Sequence, residues 1–448
     1  MSRAEASNAG FEASAGYRRW LLFLLALIYT SNFVDRTILS TRAQPIKKDL
    51  HLSDAQLGVL VGLTFALLYT LLGIPLARLV ERKSRIAVMS VCVAVWSVMT
   101  AGCGLARSFL QLGLARVGVG IGEAGCLPAA HSLISDHYPP SKRGTALAIF
   151  GLGIPIGSLI GAVAGGWIAK NLDWRIAFFA VGAPGLILAV LTPLTLKEPP
   201  RGFAEGADGS APAPPLSAVL NRLLSRPSAL WVCAGATTGA TAAYAVLGFI
   251  TAFFVRRYGL DNYQAGLATA AVSGVGAGIS ILGGGILVDW IARKDLRAYA
   301  WVSVVGLLIS IPLFGLGFIQ PDWRSALLLL FAGGVAQQLY LAPTYAIANN
   351  MVEPRMRATS IAIFAACWSL VGTGFGPVIA GLLSDRAARM LQANPSSDVL
   401  GLCWKPACAD ASAAGLQYAL VSLVVLFLIA AVFFAASART MKQDLERR

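Results

Sequence analysis

Long apolar stretches alternate with short polar ones along this chain of 448 residues. Each apolar stretch has about 20 residues, the length that an α-helix needs to cross a hydrocarbon layer. Six of them lie in the first half of the chain, at 20–40, 55–80, 86–106, 109–135, 144–170 and 175–196. Six more follow, at 229–255, 262–291, 298–319, 325–349, 357–384 and 415–438. The pattern predicts an all-α membrane protein with twelve transmembrane helices, numbered here as spans 1 to 12.

One polar segment, residues 197–227, is much longer than the others and is rich in Pro, Gly, Ala and charge. Such a composition is typical of a linker, and we expect only a short surface helix in it, at 216–225. The sequence therefore predicts two six-helix bundles, at 17–196 and 228–440, joined by this linker. We expect a disordered N-terminus at 1–16 and a short tail at 441–448.

The composition supports a membrane protein, because 56% of the residues are hydrophobic and only 13% are charged. The net charge of +14 would point to nucleic acid in a soluble protein, but here the basic residues cluster at one set of helix ends. The clusters are Arg18 and Arg19, Arg78 to Arg85, Lys142 and Arg143, Arg222 and Arg226, and Lys442 to Arg448. The positive-inside rule then places both termini and the linker in the cytoplasm, in the inner membrane of a cell. Lys47 and Lys48 lie on the opposite side, partly offset by Asp49 and Asp54.

Cysteines and ligand motifs indicate no catalytic chemistry. Five of the seven cysteines fall within spans, where we expect small buried apolar residues. Cys403 and Cys408 precede span 12 on the side expected to be oxidising, and a disulfide and two free thiols both remain open there. No Walker-type phosphate loop or cluster of metal ligands occurs, and the loops are too short for a catalytic domain. We therefore expect no enzyme, no cofactor, no metal and no nucleic-acid partner.

The two halves of the chain repeat each other. Glu81 at the end of span 2 and Asp289 at the end of span 8 lie 208 positions apart, and each precedes an arginine by four residues. The segment Arg143 to Phe150 (RGTALAIF) opens span 5, and Arg357 to Phe364 (RATSIAIF) opens span 11, 214 positions later. Duplicated halves around a central cavity are typical of carriers that work by alternating access.

Two motifs carry a resemblance to known proteins. The segment Ala77 to Arg85 (ARLVERKSR) resembles the signature of the major facilitator superfamily, with Ala77, Glu81 and Ser84 in place of the usual Gly, Asp and Gly. Asn32 to Arg36 (NFVDR) together with Arg116 to Ala124 (RVGVGIGEA) is similar to the Spinster family of that superfamily. The resemblance covers nearly the whole chain and implies two pseudo-symmetric six-helix bundles.

The resemblance also implies a gate on the cytoplasmic side, where the motif after span 2 packs against the start of span 11. We expect the gate to contain Glu81, Arg82, Arg85, Asp289 and Arg357. A carboxylate at such a helix end can interact with the positive N-terminus of a neighbouring helix. The alternative is that these charges only mark the membrane interface.

Charged groups in the membrane interior cost roughly 2.5 to 3.5 kcal/mol each on insertion scales, and four of them stand out in spans 1 and 4. Arg116 and Glu123 are seven residues apart and share one face of span 4. Asp35 and Arg36 differ by about 100° around span 1, so we expect only one of them to meet span 4. Either the four form a structural salt-bridge network, or they couple protons to transport.

In the coupling interpretation, Asp35 and Glu123 are the proton-carrying groups and Arg36 and Arg116 bind the substrate. A carboxylate beside an arginine stays ionised, and one that loses its arginine takes up a proton. We favour Asp35 as the proton carrier, with Arg36 as the neighbour that keeps it charged in one conformation and leaves it in the other. The alternative is that Glu123 carries the proton while Asp35 only orients an arginine.

The second half has no such set of charges, and its mid-span polar groups are amides, hydroxyls and aromatics. We expect Gln337, Gln338, Tyr340 and Trp368 to contact the substrate, although for any one of the aromatics helix packing is the favoured explanation. The glycines at 153, 157, 161, 372 and 376, with Ala380, predict close helix packing in spans 5 and 11. We expect His131 to pack rather than relay protons.

The leading hypothesis is a proton-linked secondary carrier that works by alternating access as a monomer. Resemblance to the Spinster family implies an amphipathic, anionic, lipid-like substrate such as a lysophospholipid or a sphingoid phosphate. The expected partners are thus a small amphipathic molecule, protons and membrane lipids. Two alternatives remain: an organic-anion or drug carrier of the same superfamily, and a receptor or sensor that transports nothing.

Overall fold

The computed structural model of the chain is helical and describes residues 14–199, 215–292, 295–353, 356–393 and 411–446. Within those ranges there is no strand, and twelve helices are long and apolar enough to cross a membrane. Spans 1 to 6 are Ala15–Thr41, Asp54–Val80, Arg85–Cys103, Phe109–His137, Thr145–Ile168 and Trp174–Thr195. Spans 7 to 12 are Pro227–Tyr258, Asn262–Ala292, Ala298–Ile319, Trp323–Ala348, Thr359–Gln392 and Ala411–Asp444. The predicted twelve spans are confirmed, and the linker carries the expected short helix, at Leu216–Leu224.

Irregular turns repeat between the two halves as the sequence motifs do. Spans 2 and 8 both begin with a capping box, Ser53 with Gln56 in one and Asp261 with Gln264 in the other. A π-helical turn follows in each, at Val59–Leu63 and Ala270–Val275, and a third occurs in span 11 at Trp368–Phe375. Such turns are frequent at functional sites. The capping boxes coincide at the repeat offset of 208, and in both spans a π-helical turn follows a few residues later.

The described chain forms two compact units, whose boundary does not follow the linker. The first unit takes in span 1 as far as Ile38, then Leu67–Gly161, then span 6. The second takes in Leu39–Ala66, residues 162–171 and the C-terminal half of the chain. The second unit therefore includes the C-terminal ends of spans 1 and 5 and the N-terminal end of span 2.

Glycines set the closest helix contacts. A Cβ atom on Gly157 of span 5 would lie 2.4 Å from the Thr30 carbonyl oxygen of span 1. In the second unit, a Cβ on Gly376 of span 11 would lie 2.4 Å from the carbonyl oxygen of Thr241 in span 7. Real Cβ atoms do not approach backbone this closely, so only glycine permits these helices to touch. The packing role predicted for the glycines of spans 5 and 11 is confirmed.

Candidate functional site

The four charged residues of the spans come together in the first unit as two ion pairs. Arg36 Nε donates a hydrogen bond of 2.8 Å to Glu123 Oε2. Arg116 Nη1 lies 3.4 Å from Asp35 Oδ1. Both charges of span 1 therefore meet span 4, and the expectation that only one of them would do so is wrong. Arginine side chains are long and flexible, so they reach carboxylates that lie off the face set by their own backbone.

The pairing is crossed relative to the sequence-based hypothesis. Arg116 is the nearer counter-charge of Asp35, and Arg36 pairs with Glu123. The role of Arg36 in keeping Asp35 charged in one conformation stays a prediction. Asp35 also accepts a 2.6 Å hydrogen bond from Thr100 Oγ1 of span 3. Thr100 could not be predicted from the sequence, because a single hydroxyl in an apolar span gives no signal that separates it from helix packing.

The close approach of span 4 to span 3 explains how this site is assembled. A Cβ on Gly122 would lie 2.5 Å from the backbone nitrogen of Trp96, and one on Gly118 would lie 2.6 Å from the Met99 side chain. These two glycines are four residues apart and leave a smooth strip on span 4. The segment RVGVGIGEA therefore has a packing role that the sequence analysis did not assign to it. Arg116 and Glu123 flank the strip and are each 1% exposed.

A small cavity lies beside the Arg36–Glu123 pair. Its wall also includes Asn32, Tyr69, Trp96 and several aliphatic side chains, but not Asp35 or Arg116. The Arg36 guanidinium carbon is 5.1 Å from the centre of the Tyr69 ring, within the range of a cation–π contact. The Arg36 side chain is 22% exposed and that of Glu123 is 0% exposed. The cavity thus has one charged corner, where the arginine is the more accessible partner.

The residues predicted to bind substrate in the second half lie in the second unit. Gln337 and Tyr340 are buried, and Gln338 and Trp368 are partly exposed. The Tyr340 ring centre is 6.0 Å from that of Phe434, which favours the packing alternative for Tyr340. Substrate contact through Gln338 and Trp368 stays a prediction.

Among the residues predicted to gate, Arg85 has the most contacts in the structure. It is buried and forms ion pairs with Asp136, at the end of span 4, and with Glu198, just after span 6. Its Nη2 also donates to the Pro199 carbonyl oxygen at 2.6 Å. Arg85 therefore joins span 3 to span 4 and to the start of the linker within the first unit.

The other residues predicted to form the gate are exposed or lie outside the described residues. Arg82 is exposed. The side chains of Glu81, Asp289 and Arg357 lie outside the described residues, so their contribution to a gate stays a prediction. The same holds for the question of a disulfide between Cys403 and Cys408, which the described ranges do not include.

Glu198 is an ionisable group of this network that lies outside the spans. Burial by itself would raise its pKa, but hydrogen bonds from Ser84, Arg85 and the Ile86 amide hold the pKa below its usual value. Glu198 is therefore ionised at neutral pH and supplies a fixed negative charge to Arg85.

His131 packs edge-on against Phe150, with ring centres 5.6 Å apart. This contact agrees with the packing interpretation of the histidine. The Phe150 ring also stacks on that of Tyr29, with ring centres 4.4 Å apart. Tyr29 and Phe150 both line the cavity.

Comparison with known proteins identifies the family. Residues 25–317 match the family model described as Major Facilitator Superfamily. An "MFS-type efflux pump" of Mycolicibacterium smegmatis is 36% identical over 369 residues, which cover 81% of this chain and 83% of that protein. "Protein spinster homolog 1" of Rattus norvegicus is 29% identical over 402 residues, covering 84% of this chain and 75% of that protein.

Solved structures agree with these relatives. The crystal structure of a bacterial homologue of the human lysosomal transporter Spinster, inward-facing and unoccupied, has a TM-score of 0.86 and 34% identity. It covers 96% of this chain and 99% of its own, and its inward-facing, occupied form has a TM-score of 0.83. The fold, the twelve spans and the motif of spans 1 and 4 thus agree with these relatives. The chain belongs to the Spinster family of the major facilitator superfamily.

Proposed function

We propose that this transporter works by alternating access and couples the movement of an amphipathic anion to protons. The observation that carries the proposal is the Arg36–Glu123 pair at the corner of a cavity whose other walls are mainly apolar and aromatic. A cation beside an apolar surface suits a molecule with an anionic head and a hydrophobic body.

The coupling follows from the cost of an unpaired buried charge. An anionic head that enters the cavity meets Arg36, the accessible member of the pair, and competes with Glu123 for it. Removing one partner of a buried ion pair costs about 3–5 kcal/mol, because the other charge is left without compensation. Glu123 avoids that cost by taking up a proton. Substrate binding and proton uptake are then linked through one arginine.

Asp35 is the second candidate for the proton. Its partners are Arg116 and Thr100, all three are nearly fully buried, and none of them lines the cavity. A proton on Asp35 would respond to a movement of span 4 relative to span 1 and not to direct contact with the substrate. Separate substitutions of the two carboxylates distinguish these routes.

A lipid-like substrate, such as a lysophospholipid or a sphingoid phosphate, is the form of this proposal that the Spinster relatives support. The cavity contributes aromatic rings and aliphatic side chains against which an acyl or sphingoid chain can pack.

A second candidate is the export of drugs or organic anions. The observation that favours it is the 36% identity to a protein named as an efflux pump. An aromatic cavity with a single accessible cation would also accept a planar organic acid.

Flux into liposomes tests the proposal. The purified protein is reconstituted, and a panel of lysophospholipids, sphingoid phosphates and organic acids is offered with and without a pH gradient. We expect uptake of a lipid anion that the pH gradient increases and that Arg36→Gln abolishes. Arg107→Gln, which removes an exposed arginine of the same half, is the matched control and should transport normally.

Each contrary result has a separate meaning. Flux of organic acids alone favours the second candidate. Lipid flux that ignores the pH gradient removes proton coupling. Absence of all flux from a folded protein favours a receptor or sensor.

A further inference from the structure

A dense polar cluster lies in the second unit, where the connection from span 1 enters span 2. At its centre is Asp54, which is 2% exposed. Arg256 of span 7 donates two hydrogen bonds to its carboxylate, of 2.6 and 2.7 Å. Lys47 Nζ lies 2.6 Å from Oδ1, and Ser384 Oγ of span 11 donates to Oδ2 at 2.7 Å. One carboxylate thus connects spans 2, 7 and 11.

A second carboxylate in the cluster binds the backbone of span 2. Asp385 of span 11 accepts hydrogen bonds from the amides of Asp54 and Ala55, at 3.0 and 2.8 Å. These amides belong to the first turn of a helix, where backbone donors have no partner within the helix and favour an anion. Gly381, one turn before Asp385, permits the approach, because a Cβ there would lie 2.1 Å from the Asp54 carbonyl oxygen.

The corresponding contact between spans 8 and 5 lacks the charges of Asp54 and Asp385. Span 8 begins with the same kind of capping box, and a Cβ on Gly266 would lie 2.7 Å from the Ala162 carbonyl oxygen of span 5. At the repeat offsets of 208 and 214, however, Asp54 corresponds to Asn262 and Asp385 to Asn171. Asn171 donates to the Trp167 carbonyl oxygen of its own helix. The close helix packing is therefore duplicated, whereas the carboxylates of Asp54 and Asp385 have asparagines at the corresponding positions.

We infer that Asp54, Arg256 and Asp385 form a latch that must open before the end of the transporter beside them can open. Spans 1 and 2 belong to the first half of the chain and spans 7 and 11 to the second, so alternating access requires their ends to separate. Separation would remove Arg256 and Ser384 from Asp54, and Asp385 from the span 2 amides. This inference rests on the alternating-access part of the proposed function and adds a gate at the end opposite the predicted cytoplasmic one.

Spin-label distances test the latch without any substrate. Labels at Lys48, in the short helix Ala43–Asp49, and at Pro321, just before span 10, report its opening. Both residues are exposed, and the labels are attached in a background with Cys233, Cys367, Cys403 and Cys408 replaced by Ser. We expect Arg256→Gln and Asp54→Asn each to shift the ratio of open to closed populations at least about tenfold toward open, equivalent to about 1.4 kcal/mol. The double variant should shift little further than either single one, because both remove the same contact.

Arg324→Gln is the matched control, since it removes an exposed arginine from the start of span 10 without touching the cluster. Asp385→Asn keeps the shape of the side chain and removes its charge from the helix end, so it tests the latch even if the Asp54 variants do not fold. Populations that stay unchanged in Arg256→Gln and Asp385→Asn, or that shift equally in Arg324→Gln, would overturn the latch alone. A parent protein that shows a single state under every condition would overturn alternating access and the latch together.

Discussion

At the scale of single residues, Glu123 and Asp35 differ in what can reach them. Glu123 is connected to the cavity through Arg36, and Asp35 is enclosed by Arg116 and Thr100. We therefore expect Glu123→Gln to abolish the stimulation of uptake by a pH gradient. Asp35→Asn should lower the rate through the loss of a buried ion pair but leave the response to pH. Flux into liposomes at a series of internal and external pH values measures both effects.

The reverse result is equally clear. A pH response that persists in Glu123→Gln and disappears in Asp35→Asn would assign the proton to Asp35, as the sequence alone favoured. Thr100→Val separates the two further, because it removes the hydroxyl that holds Asp35 and leaves the surroundings of Glu123 unchanged.

Glu198 gives a prediction about stability and pH. Its pKa is lowered in the folded protein, so its stabilising effect is complete above its unfolded pKa and is lost as the pH falls through the folded value. Because 34% of its side chain is exposed, solvent screening limits the cost of Glu198→Gln to about 1 kcal/mol at pH 7. Thermal unfolding in detergent should show a lower Tm at neutral pH and converge with the parent in acid. A Tm difference that grows in acid would contradict the ionised Glu198.

At the scale of helices, the glycine strip of span 4 can be tested by adding one methyl group. Gly122→Ala places a Cβ against the Trp96 backbone, which cannot move aside, so we expect a loss of about 1–3 kcal/mol and of transport. Gly73→Ala in span 2 is the control, since a Cβ at that position would have nothing within 4 Å and alanine favours a helix. Thermal unfolding and flux should distinguish the two. Equal behaviour of both variants would show that span 4 does not depend on the strip.

The helices themselves were predictable because length and hydropathy decide whether a segment can cross a membrane. The π-helical turns were not, since one extra residue in a turn leaves the hydrophobic pattern of span 2 or span 11 nearly unchanged. Gly118 and Gly122 are four residues apart in the sequence, the spacing that permits close helix packing. Which helix would occupy that strip depends on the tertiary fold.

At the scale of the whole molecule, the four charges of spans 1 and 4 stood out because charge in lipid is costly. Their crossed pairing did not follow from helix periodicity, since the conformation of an arginine side chain is set by its neighbours. Asp54, Arg256 and Asp385 gave no comparable signal. Charges at helix ends are normally solvated, and only the packing of spans 2, 7 and 11 shows that Asp54 is buried against Arg256 and lies beside Asp385.

The orientation of the chain in the membrane is the remaining whole-molecule prediction. Basic clusters lie at the helix ends that share a side with both termini, whereas the loop between spans 1 and 2 has Lys47 and Lys48 beside two acids. The positive-inside rule therefore places Lys48 outside and Lys442 inside the cell. Both side chains are exposed, so cysteines introduced there can react. With Cys403 and Cys408 replaced by Ser, a thiol reagent that cannot cross membranes should label Lys48→Cys in intact cells. It should label Lys442→Cys only after the membrane is made permeable. The opposite pattern would invert the topology and place the Asp54 latch on the cytoplasmic side.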